Sequence, residues 1–318
     1  MAVQDESPKP SSTDGAAAAG GAPAATRAGY IALVGRPNVG KSTLLNALVG
    51  EKLSIVTARA QTTRERVTGI LTTADAQAVF LDTPGLLEPS YLLQEWMLEA
   101  ALRALEDADV VLLLLDATRA QELPSADVIA RLRAATALVV AINKVDAGPV
   151  AAIEELESWS AATLPGATCH RVSAVTGVAM DALLADLVAR LPLSPYLFPE
   201  DDIAIQPVRF FVAELIRETL FETLREEVPY STAVQVEEFR ESEQPLYIRA
   251  TIYVERESQK GIVVGSRGAV IREIGSTARG KIESFLDASV YLDLWVKAKP
   301  GWRRKKRGLE ELGYERQG

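Results

Sequence analysis

Sulfur and imidazole are nearly absent from this sequence: it holds one cysteine, Cys169, and one histidine, His170, in 318 residues. A single thiol excludes an internal disulfide framework and fits a reducing compartment. One imidazole leaves little from which to build a His/Cys zinc site or a Ser-His-Asp triad. Both residues lie in a stretch with strand character and read as structural. Long apolar runs are also missing. The densest, Val110 to Leu115, falls well short of the roughly 18 residues of a membrane span and suits a buried parallel strand. Residues 1–28 lack the basic and bulky apolar regions of a signal peptide, and their Ala, Gly, Pro and Ser content predicts a disordered tail. Positive charge is in deficit too. The net charge of -9 argues against a protein that coats nucleic acid generally, but it leaves room for a local basic site. What is present is the composition of a soluble globular protein, 48% hydrophobic and 24% charged, with length enough for two domains that each bury a core.

The organising stretch is Gly35-Arg36-Pro37-Asn38-Val39-Gly40-Lys41-Ser42, between an apolar strand-like run, Tyr30 to Val34, and a helix-like run beginning at Thr43. Gly-x-x-x-x-Gly-Lys-Ser in that context binds phosphate. Glycines let successive backbone N–H groups turn toward one anion, and the start of the following helix adds positive potential. Lys41 would reach the β- and γ-phosphates, and the Ser42 hydroxyl would ligate Mg2+. Gln61-Thr62-Thr63-Arg64 follows in a polar stretch, where a loop threonine could reach the metal. Val79-Phe80-Leu81 then leads into Asp82-Thr83-Pro84-Gly85. An aspartate at the carboxyl end of a strand beside the phosphate loop is placed to serve the metal, and Gly85 offers a backbone N–H to the γ-phosphate.

Leu138 to Ile142 is another apolar run, and it stops at Asn143-Lys144-Val145-Asp146. An amide and a carboxylate on one turn can read guanine. Asp146 would accept from N1–H and the 2-amino group, Asn143 would bond the opposite side, and the Lys144 stem would lie along the base. Adenine lacks the donors that Asp146 needs. After the strand Thr168 to Val172, backbone N–H groups at Ser173-Ala174 could contact the guanine O6. Strands alternate with helices to residue 191, which predicts an α/β domain: a doubly wound, mainly parallel sheet with every candidate ligand at a strand's carboxyl end.

Prolines at 192, 195, 199 and 207, with Glu200-Asp201-Asp202 among them, mark a linker. Beyond it the order becomes helix, two strands, two helices and a strand, which is not another βαβ unit. Gly265-Ser266-Arg267-Gly268 joins the two short helices. This matches the Gly-x-x-Gly loop with which KH domains clamp a single-stranded backbone, with Arg267 supplying charge where a phosphate passes. The expected division is therefore a tail at 1–28, a nucleotide-binding domain at 29–191, a linker at 192–206, a smaller α+β KH-type domain at 207–297 and a basic tail at 298–318. That last run, Lys297 to Arg307 with Trp302 inside it, reads either as a solvated tail or as charge that binds phosphate while the aromatic stacks a base; its adjacency to the KH-like strand favours RNA.

The phosphate loop, Asp82-Thr83-Pro84-Gly85, Asn143-Lys144-Val145-Asp146 and the Gly265-x-x-Gly268 domain in one chain resemble the Era family of bacterial GTPases, from about Tyr30 to Tyr314. Gln61-Thr62-Thr63-Arg64 is similar to that family's effector element, which makes Thr63 a Mg2+ ligand with Ser42 and Asp82. Lys260 to Gly265 resembles its approach to the KH loop, so Lys260, Gly265, Ser266, Arg267 and Gly268 are expected on RNA. GTP or GDP would be held by Gly35, Asn38, Val39, Gly40, Lys41, Ser42, Thr43, Asp82, Gly85, Asn143, Lys144, Asp146, Ser173 and Ala174. The resemblance implies a GTP-hydrolysing, RNA-binding switch that docks on the small ribosomal subunit and holds the 3′ end of its ribosomal RNA during assembly. It further implies a monomeric cytoplasmic protein with peripheral contact at the inner membrane. A non-catalytic, GTP-dependent scaffold is the alternative. A GTPase that assists tRNA modification lacks support, because no catalytic cysteine follows the nucleotide domain. Ala60 stands where relatives have proline, Ser266-Arg267 replaces a Gly/Lys-rich pair, and the basic run is heavier than the family's.

Catalysis would rest on Lys41, Thr63, Gly85 and Asn38 through positioning and charge neutralisation. Asn38, by resemblance to related GTPases, helps hold K+; otherwise it shapes the loop. One part is missing. Leu86 stands where Ras-like enzymes place the glutamine that orients water, and leucine cannot hydrogen-bond, so slow intrinsic hydrolysis is expected.

Overall fold

The computed structural model describes residues 26–57, 59 and 61–316. All but the last three residues of the expected N-terminal tail, and Ala60, lie outside the described residues. The first domain is one six-stranded sheet in the order β2-β3-β1-β4-β5-β6. Its strands are β1 (Arg27–Val34), β2 (Val67–Thr72), β3 (Ala76–Asp82), β4 (Val110–Asp116), β5 (Leu138–Asn143) and β6 (Thr168–Arg171). Only β2 runs antiparallel to its neighbour. The helices are α1 (Lys41–Val49), α2 (Leu92–Asp107), α3 (Ala126–Arg133), α4 (Val150–Thr163) and α5 (Met180–Arg190).

The side-chain period of two explains the double winding. Along β4, Val110, Leu112 and Leu114 share a core with Leu44 and Leu45 of α1 and Leu183 and Leu187 of α5. Val111, Leu113 and Leu115 face the other way, toward Ala101 of α2, Leu132 of α3 and Leu156 of α4. A strand apolar on both faces has no stable place at a solvated surface, so β4 sits inside the sheet. The chain leaves β1 toward β3 on one side and returns to β4 on the other. The loop after β1 thus opens at the switch point where such sheets hold ligands.

The second domain packs α6 (Val208–Thr223), α7 (Glu257–Val264) and α8 (Ala269–Leu286) on one face of the sheet β7 (Ala233–Arg240), β8 (Leu246–Val254) and β9 (Val290–Ala298). Ile248, Ala250, Ile252 and Val254 alternate into a core with Ile216 of α6 and Ile274 of α8.

Two segments differ from expectation, and a third, the linker, gains a defined path. β1 begins at Arg27, two residues before the expected domain start at 29. The linker is laid along the first domain: Ala28 N–H donates to Pro192, Ile70 N–H to Ile203, and Leu197 and Phe198 N–H groups to Gln77 Oε1. The basic C-terminal run is folded. A 3-10 turn at Trp302–Arg304 and a short helix α9 (Lys306–Glu310) pack Trp302, Leu309 and Leu312 against Leu93, Trp96 and Met97 of α2. Lys299 and Arg307 pair with Glu311, Arg303 pairs with Glu255, and Lys306 with Glu310. Trp302 is 0% exposed, so it offers no face to an RNA base.

The domains are joined through the segment between α1 and β2. Glu218 of α6, buried, accepts from Lys52 at 2.7 Å and from Lys281 at 2.8 Å, and Arg59 donates to the Leu224 carbonyl at 2.6 Å.

Candidate functional site

The loop after β1 and the start of α1 enclose a cavity of about 360 Å3, lined by Pro37, Asn38, Gly40, Lys41, Ser42 and Thr43 on one side and by Ile55, Thr57, Gln61, Thr62, Thr63 and Gly85 on the other. Gly40 is required by geometry. Its φ is +98°, and a Cβ there would lie 2.3 Å from Asn143 Nδ2. Asn38 also takes a left-handed φ of 65°, which asparagine tolerates better than most residues. Gly35 and Val39 form the loop's floor; Val39 is 5% exposed and its carbonyl accepts from Asn143 Nδ2 at 2.8 Å.

Lys41 is buried, and its ammonium donates to the Gly35 carbonyl at 3.2 Å and the Arg36 carbonyl at 3.0 Å. Burial pulls its pKa down to about 8, against an opposing pull from Asp82. A cation held this dry beside a glycine loop favours an incoming polyanion. Asp82, at the end of β3, is 0% exposed. Burial pushes its pKa up, opposed by Lys41 and by the hydrogen bond from Ser42. Ser42 Oγ donates to Asp82 Oδ2 at 2.7 Å, and Thr63 Oγ1 lies 3.1 Å from Ser42 Oγ and 3.4 Å from Asp82 Oδ2. Asp82 Oδ1 is buried with no hydrogen-bond partner. Ser42 Oγ, Thr63 Oγ1 and Asp82 Oδ2 converge, and with the second carboxylate oxygen left unpartnered they form a hard donor set that fits a small divalent cation.

The turn after β5, where base reading is expected, places its residues differently from expectation. Lys144 lines the cavity, and its head donates to Asp116 Oδ2 and to the Asn38 carbonyl, both at 2.6 Å. Asp146 is exposed on the turn just beyond and, like Asn143, is not among the residues lining the cavity. Asn143 is 2% exposed and does not line the cavity. Its amide donates one N–H to Val39 and its Oδ1 accepts from Ala174 N–H at 3.1 Å, so it stitches the phosphate loop to the loop after β6. The Ser173-Ala174 expectation is corrected, because both backbone N–H groups are already used. Ala174 N–H is taken by Asn143, and Ser173 N–H donates to the Val178 carbonyl at 3.2 Å, so neither is left for O6.

Thr118, Arg119 and Thr57 line the cavity without having been expected there. Asp116, which anchors Lys144, was also missed. A signal existed: like Asp82, it is an acidic residue closing an apolar strand run. Leu86 is buried in the core with Ala32 and Val34, and its N–H donates to the Gly35 carbonyl at 3.0 Å. Its side chain is therefore turned away from the cavity.

In the second domain, Gly265 ends α7 with φ +73°, and a Cβ there would lie 2.5 Å from Val270 Cγ2, so the turn admits only glycine. Ser266 and Arg267 are exposed between Gly265 and Gly268, and Lys260 is half-buried on α7. Next to this loop a groove of about 390 Å3 runs between α8 and β9, lined by Ile271, Arg272, Gly275, Ser276, Arg279, Tyr291, Leu292 and Leu294. Arg272 folds over the loop, donating to the Gly268 carbonyl at 3.1 Å and the Arg267 carbonyl at 3.2 Å. The arginines and Tyr291 offer charge and a ring to a single strand. They were not expected, since only the juxtaposition of helix and edge strand reveals them.

The family model described as "50S ribosome-binding GTPase" matches residues 30–144, and the model described as "KH domain" matches residues 227–303. Phosphate loop, metal-type oxygen cluster and the Asn143-Lys144-Val145-Asp146 turn on one sheet, with this second fold joined to them, define a P-loop GTPase carrying a KH domain. The chain is 43% identical over 291 residues to "GTPase Era" of Geobacter metallireducens, covering 91% of this chain and 98% of that relative. It is 43% identical to "GTPase Era" of Pseudomonas entomophila, covering 91% of this chain and 97% of that one. Two solved structures are similar at 40% identity over 91% of this chain and 99% of theirs. One is a variant of Aquifex aeolicus Era bound to GDP.AlF4-, with a TM-score of 0.85. The other is Era in complex with MgGDPNP and nucleotides 1506–1542 of 16S ribosomal RNA, with a TM-score of 0.86. The chain belongs to the Era family of GTPases: it binds GTP and GDP and hydrolyses GTP. Among the described residues, no helix is long and apolar enough to cross a membrane.

Proposed function

We propose that this GTPase is a nucleotide-controlled RNA clamp that acts in assembly of the small ribosomal subunit by holding the 3′ end of its ribosomal RNA, in the cytoplasm and as a monomer. One observation carries the reading: the Gly265-x-x-Gly268 loop and its arginine-bearing groove sit on the domain joined to the one that holds the GTP cavity, and a similar protein at 99% coverage was solved with the 3′ segment of 16S RNA. That RNA favours the small subunit over the partner in the family model's description.

In this reading the loop from Gly35 to Thr43 cradles the phosphates, with Lys41 on the β- and γ-oxygens, while Lys144 and Asp146 read the base. Ser42, Thr63 and Asp82 would hold Mg2+, which supplies charge neutralisation across the β- and γ-phosphates. Gly85, packed on Pro37, closes the γ-phosphate end. The buried Leu86 leaves the attacking water without a side-chain partner at that position. Turnover of the isolated protein should therefore be slow, roughly 10−3 s−1 or below. Single-turnover hydrolysis with and without small ribosomal subunits tests this: stimulation supports a partner-completed switch, whereas fast turnover alone counts against it. Asn38, at the cavity wall, is the candidate K+ contact, and equal rates in Na+ and K+ would remove that role. A scaffold held at a membrane by the C-terminal run is disfavoured, because that run is folded against α2 and largely paired with glutamates.

Arg267→Asp should weaken single-stranded RNA binding by roughly tenfold while leaving GTP affinity unchanged, since it reverses a charge beside the phosphate path in a different domain. Filter binding with a 3′-end oligonucleotide checks it. Unchanged RNA affinity would rule out this loop as the clamp.

A further inference from the structure

Arg64 follows Thr63 directly, yet its side chain leaves the nucleotide cavity and enters the other domain. The residue is 7% exposed. Its Nη1 donates to the Thr232 carbonyl at 2.6 Å and to the Tyr314 hydroxyl at 3.0 Å, its Nη2 donates to the Tyr230 carbonyl at 3.0 Å, and the guanidinium lies over the Trp302 ring at 5.6 Å. Two of these partners lead into β7, and two belong to the C-terminal segment. On the other flank, Arg217 of α6 donates to the Thr62 carbonyl. The peptide that carries Thr63 is thus gripped on both sides from outside its own domain.

The grip bears on chemistry because Thr63 Oγ1 reaches the oxygen cluster only at 3.1 and 3.4 Å. A shift of an ångström would take it out of range. A guanidinium fork has fixed donor directions, so one held by three oxygens and a ring allows little backbone freedom at the neighbouring residue. We propose that Arg64 is a positioning residue for Thr63, and that the C-terminal segment, through Trp302 and Tyr314, is thereby part of the apparatus that senses the triphosphate. The inference rests on the reading of Thr63 as a metal-binding oxygen. By thermodynamic reciprocity, whatever draws the C-terminal segment off Arg64 weakens the hold on Mg2+ and triphosphate, and a bound triphosphate tightens that segment by the same factor.

The test uses the full chain and follows release of fluorescent non-hydrolysable GTP and GDP analogues as Mg2+ is varied. Arg64→Lys keeps the charge but loses the fork; it should raise the Mg2+ concentration for half-maximal retention of the triphosphate by about tenfold and leave diphosphate release within about twofold. Tyr314→Phe keeps the ring stacked on Trp302 and removes one acceptor, and should shift retention by about threefold in the same direction. Thr63→Ala is the reference. If Thr63→Ala shifts the Mg2+ dependence while Arg64→Lys and Tyr314→Phe do not, the positioning role is wrong and the metal reading stands. If Thr63→Ala shifts nothing, the metal reading fails and this inference falls with it. Equal acceleration of both nucleotides by Arg64→Lys would indicate a loosened fold and also overturn the proposal.

Discussion

Asp146→Asn is expected to lower GTP affinity by about a hundredfold or more and to raise affinity for xanthosine triphosphate. The turn that presents Asp146 is set before any base arrives. Lys144 holds a left-handed φ of 63°, Val145 N–H donates to Val172, Ala147 and Gly148 N–H groups donate to the Lys144 carbonyl, and the Lys144 head is pinned by Asp116. Little ordering is therefore left to oppose binding, and the carboxylate can accept from N1–H and the 2-amino group together. Asparagine keeps one acceptor and turns an N–H toward a donor. Losing charge-assisted hydrogen bonds worth roughly 1.5–3 kcal/mol each sets the size of the effect. Xanthine carries an oxygen in place of the 2-amino group, so the new N–H finds an acceptor there. Because Asp146 is exposed, the fold should be unaffected. Competition against a fluorescent guanine nucleotide measures both shifts, and an unchanged ranking would remove Asp146 from the base site.

The phosphate loop and the turn that carries Asp146 were legible in the sequence because their spacing is local. Spacing, glycine and the end of an apolar run already fix which groups point at one ligand. The errors came where a group's partner is remote in the chain. Nothing near Asn143 shows that its amide is used by Val39 and Ala174, and nothing near Ser173 shows that Val178 takes its N–H. The KH loop could be read from two glycines, whereas Arg279 and Tyr291 become groove residues only when α8 is laid beside β9. The basic run misled most. Its charge reads as an RNA contact, or else as a solvated tail, until Glu255 and Glu311 are placed against it, and Trp302 reads as a ring free to stack a base until α2, some 200 residues earlier, covers it. Composition reports how much charge a segment carries, while burial depends on what folds over it.

Trp302→Ala should therefore cost about 3–5 kcal/mol, the range for deleting a large buried aromatic. The indole is 0% exposed, donates from Nε1 to the Ser231 carbonyl at 3.0 Å, and stacks on Tyr314 at 5.8 Å with 11° between the planes. It packs with Leu93 and Met97 of the first domain, Ala233 of the second, and Leu309 and Leu312 of its own segment. Truncation removes contacts to three parts of the chain at once, leaves the Ser231 carbonyl without its donor, and strips Arg64 of the ring beneath it. The loss should appear first at the junction between domains. Where the parent unfolds with its domains coupled, the variant should release the C-terminal segment early and show two separated transitions in denaturant, followed by calorimetry and tryptophan fluorescence. Trp302→Phe retains an apolar ring and loses only the donor and some volume, so a cost of about 1–2 kcal/mol is expected. Arg304 and Lys305, both exposed in the same run, should tolerate alanine within about 0.5 kcal/mol. A Trp302→Ala cost below about 1 kcal/mol would mean that the segment is a tail resting on the surface. A cost in the full range, with single-stranded RNA affinity unchanged, would show that the tryptophan's burial serves the joint between the domains.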